Sequence, residues 1–132
     1  MFSLTFAESW SDCGLFLLPA AVSLAGAVTL EQHPRELTVQ EGDAVTLKCS
    51  MTGASMRHYY MSWYREGPSG IWEWIYNEDG TYGAGFRDRF KIRDERSKSS
   101  FPLQILAAKQ GDAATYYCRA RDTLEELCSR VD

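Results

Sequence analysis

Asp112-Ala-Ala-Thr-Tyr-Tyr-Cys118 is the stretch on which the fold turns. It closes an alternating run with a cysteine, a tyrosine two residues earlier and an aspartate six earlier, and each of the three has its own packing task in a layered β protein. Upstream, Val45, Leu47 and Cys49 form a second alternating run, with Thr46 and Lys48 on the opposite side. If both runs face inward across a two-sheet sandwich, Cys118 can reach Cys49. The closed loop would be about 70 residues, and restricting so long a loop in the unfolded chain stabilises by about 4 kcal/mol. Trp63, fourteen residues after Cys49 in Met61-Ser-Trp63-Tyr-Arg65, is placed to pack on that bridge. Unrelated cysteines in some other β protein are the alternative at this point.

Cys49, Trp63, Asp112, Tyr116 and Cys118 together resemble an immunoglobulin variable-type (V-set) domain, over a stretch from about Val28 to Cys118. The resemblance implies an all-β, immunoglobulin-like V-type β-sandwich of Greek-key topology, with the Cys49–Cys118 disulfide between the sheets over Trp63. It also implies that Tyr116 forms a tyrosine corner, its hydroxyl bonding back to the backbone just upstream. Arg89 and Asp112 are expected to form an ion pair at the bottom of the sandwich; the plainer reading is two solvated charges.

A length of 132 residues fits one domain, and 45% hydrophobic residues are enough to fill a sandwich core. The net charge is −4 with no basic stripe, so neither nucleic acid nor an anionic membrane surface is an expected partner, and no direct membrane contact is expected from this chain. Four cysteines at this spacing suit an oxidising compartment, which places the chain in the secretory pathway or on the outer side of the plasma membrane. Cys13 to Ala27 is a short apolar run ending in small residues, with the form of a secretory signal before an Ala-x-Ala-like cleavage site. The segment ahead of it departs from that form, carrying no Lys or Arg but Glu8 and Asp12. The expected organisation is a signal peptide over 1–27, a V-type domain over 28–118 and a third-loop tail over 119–132.

In chain order, Val28 to Gln32 and Glu36 to Val39 alternate around His33-Pro34, a broken edge strand, since proline lacks a ladder N–H. Strands are also expected over Val45–Cys49, Tyr60–Glu66, Ile71–Tyr76, Arg89–Ile92, Phe101–Ile105 and Ala114–Cys118, with a hairpin turn at Asn77-Glu-Asp-Gly80. No segment sustains a helical period.

Catalysis is not expected. His33 and His58 have no reason to converge, the well-placed cysteines are used in the bridge, and no Cys/His set remains for a metal. Gly83-Ala-Gly85 lacks the third glycine of a phosphate-binding fingerprint and reads as a strand-entry turn. Neither a cofactor nor a metal is implied.

Two binding constellations remain. If Trp63 and Arg65 point inward, then Tyr64, Glu66 and Tyr117 point outward beside Trp72 and Trp74, an apolar face larger than a monomer ordinarily leaves bare. In similar domains this face meets a second V domain, so a heterodimer is expected; a last strand or long third loop folding over it is the alternative. The second constellation is the loop end, with Arg57, His58, Tyr59, Tyr76, Asn77, Glu78, Asp79, Arg119 and Arg121 as expected contacts to a protein or peptide-presenting antigen. Ordinary solvated turns have a similar composition.

Cys49-Ser-Met-Thr-Gly, Trp63-Tyr-Arg and Ile75-Tyr-Asn-Glu-Asp-Gly-Thr-Tyr-Gly-Ala-Gly-Phe86-Arg-Asp-Arg-Phe90 resemble variable segments of the T-cell receptor alpha/delta group, delta especially. Glu73-Trp74-Ile75 is closer to an antibody heavy-chain segment. The resemblance implies antigen recognition in adaptive immunity; a non-rearranging V-set cell-surface receptor or adhesion protein is the other class of answer. After Cys118 the resemblance stops: Arg119 to Asp132 has no glycine, and so no Phe-Gly-x-Gly motif to open a final J-type strand. Cys128 is expected to be a free or intermolecular thiol in a chain cleaved after Ala27. No N-glycan is expected, because the sole asparagine, Asn77, is followed by Glu78-Asp79.

Overall fold

The computed structural model describes residues 2–6, 28–34, 36–121 and 126–128, those of 2–6 and 126–128 as backbone alone. The described residues form ten strands in two sheets, with three single-turn 3-10 segments at Met56–His58, Arg96–Lys98 and Gln110–Asp112. The strands are β1 (Phe2–Phe6), β2 (Thr29–His33), β3 (Glu36–Val39), β4 (Val45–Thr52), β5 (Tyr60–Glu66), β6 (Trp72–Tyr76), β7 (Phe90–Ile92), β8 (Leu103–Ile105), β9 (Thr115–Arg121) and β10 (Glu126–Cys128). One sheet runs β3-β1-β9-β5-β6, with β10 also on β9, and the other runs β2-β4-β8-β7.

Alternation decides which side chains enter the core. Along β4, Val45, Leu47, Cys49 and Met51 are buried while Thr46, Lys48 and Thr52 are exposed, so one face of the strand supplies the core and the other stays wet. On the facing sheet β5 lies antiparallel to β9, which sets Trp63 opposite Cys118 and Tyr64 opposite Tyr117. Trp63, Tyr116, Phe90, Leu47, Leu103 and Ile105 are all fully buried between the sheets. The disulfide joins Cys49 of β4 to Cys118 of β9 with Cα atoms 6.4 Å apart, tying the two sheets together at the centre of that core. Trp63 fixes its ring by donating its indole N–H to the Phe101 carbonyl at 3.0 Å, so the one polar atom of a buried side chain is satisfied.

The break expected at Pro34 is a change of sheet. β2 pairs with β4 in one layer, the His33–Pro34 peptide is cis, and β3 then pairs in the other layer. Asn77 to Gly80 closes the β6 hairpin, with the Gly80 amide donating to the Asn77 carbonyl at 3.0 Å and the Asn77 amide to the Thr81 carbonyl at 2.8 Å. Gly80 takes a φ of 91°, a conformation that favours glycine.

Phe2–Phe6 form a strand that was not among those expected. β1 lies between β3 and β9, antiparallel to the former and parallel to the latter. β10 runs antiparallel to β9 at its far end, from Glu126 opposite Arg121 to Cys128 opposite Arg119. The β9 edge that a long final strand would cover is therefore shared between two short strands of opposite direction. The cysteine readings for Cys13 and Cys128 and the cleavage point at Ala27 lie outside the described side chains.

Candidate functional site

At the lower end of the sandwich, charge is used for structure. Asp112 is almost wholly buried, and Arg89 grips it with two hydrogen bonds, at 2.7 and 2.9 Å, while Arg65 adds a third at 3.1 Å. The Lys109 amide donates to the same carboxylate at 2.9 Å. Burial alone would push the Asp112 carboxyl up, but Arg89, the Lys109 amide and Arg65 outweigh it and hold the group below its ordinary value. The Tyr116 hydroxyl donates to the Asp112 carbonyl at 2.7 Å, which is the tyrosine corner, and burial pushes that phenol up to about 12. Arg65 was not expected in this group. It sits over the Phe86 ring, its guanidinium carbon 4.8 Å from the centroid, and its Nε donates to Glu73 at 2.9 Å.

The outer face of the β9-β5-β6 sheet carries the first candidate surface. The register sets Tyr64 opposite Trp74 and Glu66 opposite Trp72, so four of the five expected face residues stand in two adjacent cross-strand pairs. Trp72 and Trp74 remain 42% and 40% exposed, and Ile71 beside them 64%. Tyr117 differs from the open position expected for it. It is only 2% exposed, because Trp72 covers its ring at a centroid distance of 4.6 Å and its hydroxyl donates to Glu66 at 3.1 Å.

Arg119 and Arg121, expected in the third loop, belong to β9 and extend this same face. Arg119 donates to the Tyr64 hydroxyl at 3.4 Å, and Arg121 stacks over the Tyr60 ring at 5.1 Å. Tyr60, half exposed and expected both to end the first loop and to open a strand, opens β5 and stands on the same side of it as Ser62 and Tyr64.

The loop end divides. Arg57 and His58 are exposed on their 3-10 turn. Tyr59 is a correction: it is 5% exposed and belongs to the core, since the 3-10 turn drops both Met56 and Tyr59 inward. Its carbonyl accepts from Arg96 at 3.0 Å. Tyr76 packs edge-on to Tyr82, with ring centroids 4.9 Å apart, and is half-buried against the core. The Asn77 side chain accepts from the Glu78 amide at 2.9 Å, and Asp79 accepts from both the amide and the hydroxyl of Thr81, so both side chains shape the turn. Glu78 is engaged by Arg121 through two hydrogen bonds, at 2.8 and 2.6 Å, which hold its carboxyl below the ordinary range. That pair spans from the β6 hairpin to the end of β9, and each charge meets much of the other's demand for a partner.

Among the described residues no group of His, Cys, Asp and Glu stands together to hold a metal ion. Among the same residues no helix is long and apolar enough to cross a membrane. Compared with known families, residues 32–127 match the immunoglobulin V-set domain. The chain belongs to the V-set family. This V-set domain has the two antiparallel-rich sheets and the inter-sheet disulfide that the family fold requires. Such domains bind protein ligands or pair with other immunoglobulin domains, so its role is recognition as part of an immunoglobulin-superfamily protein. The disulfide fits an extracellular or secretory-pathway setting.

Proposed function

We propose that this V-set domain is the variable part of an antigen receptor, a T-cell receptor delta-like chain displayed on the outer side of the plasma membrane and without catalysis. A second V domain covers Tyr64, Glu66, Trp72 and Trp74, with Tyr117 supporting Trp72 from beneath, and the loop end meets a protein or peptide-presenting antigen. The observation that carries the reading is the exposed run Ile71, Trp72 and Trp74 beside Tyr64, because two tryptophans on one sheet face are more apolar surface than an isolated domain ordinarily leaves in water. Arg57, His58, Asn77 and Asp79 remain the contact residues at the loop end.

A second reading has its own support. Tyr59 is in the core and Glu78 is paired with Arg121, which leaves the loop end with fewer groups free for a ligand than its sequence suggested. A non-rearranging V-set receptor or adhesion protein would bind through the sheet face instead. Lymphocyte transcripts separate the two. An antigen receptor should show this sequence joined near Ala120 to varied junctions ending in Phe-Gly-x-Gly. Transcripts that all carry the same residues 119–132 spliced onward to one fixed exon would leave only the innate receptor.

A further inference from the structure

We infer that the outer face of the β2-β4-β8-β7 sheet binds a sulfated glycosaminoglycan, through Lys48, Lys91 and Arg93 with His33 at the edge. Trp72 and Trp74 stand on the other sheet, so this surface is separate from the face proposed for pairing.

The register assembles it from residues far apart in sequence. His33 stands opposite Lys48, and Lys91 opposite Gln104, which in turn faces Thr46. The β4–β8 ladder runs on beyond the strand pair: the Phe101 amide donates to the Cys49 carbonyl and Ser100 bridges Ser50, which sets Pro102 opposite Lys48. The Arg93 amide donates to the Pro102 carbonyl, which sets Arg93 on the far side of that proline. Arg93, Pro102, Lys48 and His33 thus form one row across the sheet, three steps of about 4.8 Å each. Lys91 lies two residues from Arg93 on the same side of its strand, about 7 Å away. All four basic residues are exposed, while Pro102 between Arg93 and Lys48 is buried. That is the pattern of long side chains whose stems lie over an apolar residue and whose charged ends reach water.

What sets these cations apart is pairing. Arg65, Arg89, Arg96 and Arg121 each meet a carboxylate. Among the described residues no carboxylate comes within ion-pairing distance of Lys48, Lys91 or Arg93, and His33 has Glu31 at 3.9 Å. Glu31 and Glu95 stand at the two ends of the next row, with Ser50 and Ser100 between them. Positive charge gathered on one face repels itself in the free domain, and a polyanion relieves that repulsion.

The surface chemistry favours a glycan over an acidic protein. Of the large apolar side chains exposed among the described residues, Tyr60, Ile71, Trp72 and Trp74 belong to or adjoin the other sheet, and Leu106 lies past the end of β8. The cationic face therefore lacks the apolar centre that a protein interface buries. A linear chain of sulfates needs none, because it is held by charges spaced along it and by hydrogen bonds of the kind Gln104, Ser50 and Ser100 can offer. The disulfide fits the extracellular setting in which such glycans occur.

Calorimetric titration of a heparin octasaccharide into the full 132-residue chain, refolded oxidatively, tests this. Binding should be measurable near physiological salt and weaken steeply as salt rises. Lys48→Ala, Lys91→Ala and Arg93→Ala should each weaken it about fivefold, and together about fiftyfold or more. Arg87→Ala, Lys98→Ala and Lys109→Ala together remove the same charge from exposed positions outside these rows, and should weaken it less than about threefold. Amide shifts on titration of the unaltered chain should centre on Lys48, Lys91 and Gln104, a readout that requires no variant to fold. Absence of binding, equal losses in the two triple variants, or shifts centred on Trp72 and Trp74 would each overturn the site. Tighter binding of a polyglutamate peptide or of phosphatidylserine vesicles than of heparin would overturn the glycan as its ligand. None of these readouts depends on the antigen-receptor reading.

Discussion

Asp112 is the side chain on which the lower end of the sandwich depends, because two guanidinium groups and a backbone amide converge on one buried carboxylate. Asp112→Ala leaves Arg65 and Arg89 partly buried without their counter-charge, a loss expected to cost about 3 to 5 kcal/mol in denaturant unfolding. The same carboxylate gives a pH signature. Its folded-state value lies below its unfolded one, so its contribution is complete above the ordinary aspartate value near 4 and is lost as pH falls through the lower folded value. Asp112→Asn should therefore flatten the acid limb of the stability profile, and an acid limb as steep as in the unaltered domain would assign the pH dependence to other groups. Gly83 is a second residue with no latitude. Its amide donates to the Ile75 carbonyl at 2.8 Å, and a Cβ there would run into the Trp74 carbonyl oxygen. Gly83→Ala should lower stability by about 1 to 3 kcal/mol and disturb the strand that carries Trp72 and Trp74.

At the level of elements, β6 is built for contact on one side only. Ile75 is fully buried while Trp72 and Trp74 face outward, so the strand's inner residues secure it and its outer ones stay available. Trp72→Ser with Trp74→Ser should weaken, by about tenfold or more, assembly with a partner V domain, and the loss of the Trp72 cover over Tyr117 should lower the unfolding midpoint of the isolated domain without abolishing its cooperative transition. Undiminished assembly in a mixing experiment would show that this face is not the interface. β4 was legible because it alternates strictly, and β5 and β9 because Trp63 and Cys118 name their inner side. Arg65 was legible only as inward-facing: its partner Asp112 is 47 residues away and no local pattern joins them. Tyr59 misled because its neighbours are polar, and only the 3-10 turn before it settles which way the chain drops. Phe2-Ser-Leu-Thr-Phe6 also alternates, but alternation says nothing about which edge a strand will take. That depended on which edge of β9 was left open.

For the whole molecule the central dependence is on the covalent link Cys49–Cys118 between two layers. Among the described residues the two sheets are held together by packed side chains and by Cys49–Cys118, whose loop spans 69 positions in sequence. Opening it returns to the unfolded chain a freedom equivalent to about 4 kcal/mol, which is a large part of the 5 to 15 kcal/mol that single domains typically have. The link also sits beside Trp63, on the strand position directly across the β5–β9 ladder, so its loss is felt at the largest side chain of the core. Two consequences should be measurable together. Cys49→Ala with Cys118→Ala should move the denaturant midpoint down by an amount equivalent to roughly 4 kcal/mol, and Trp63 emission should report the same transition as far-ultraviolet circular dichroism. Reduction of the unaltered domain should reproduce that shift. If the double variant unfolds where the oxidised domain does, inter-sheet packing alone holds the layers, and an oxidising compartment would not be needed for this chain to fold.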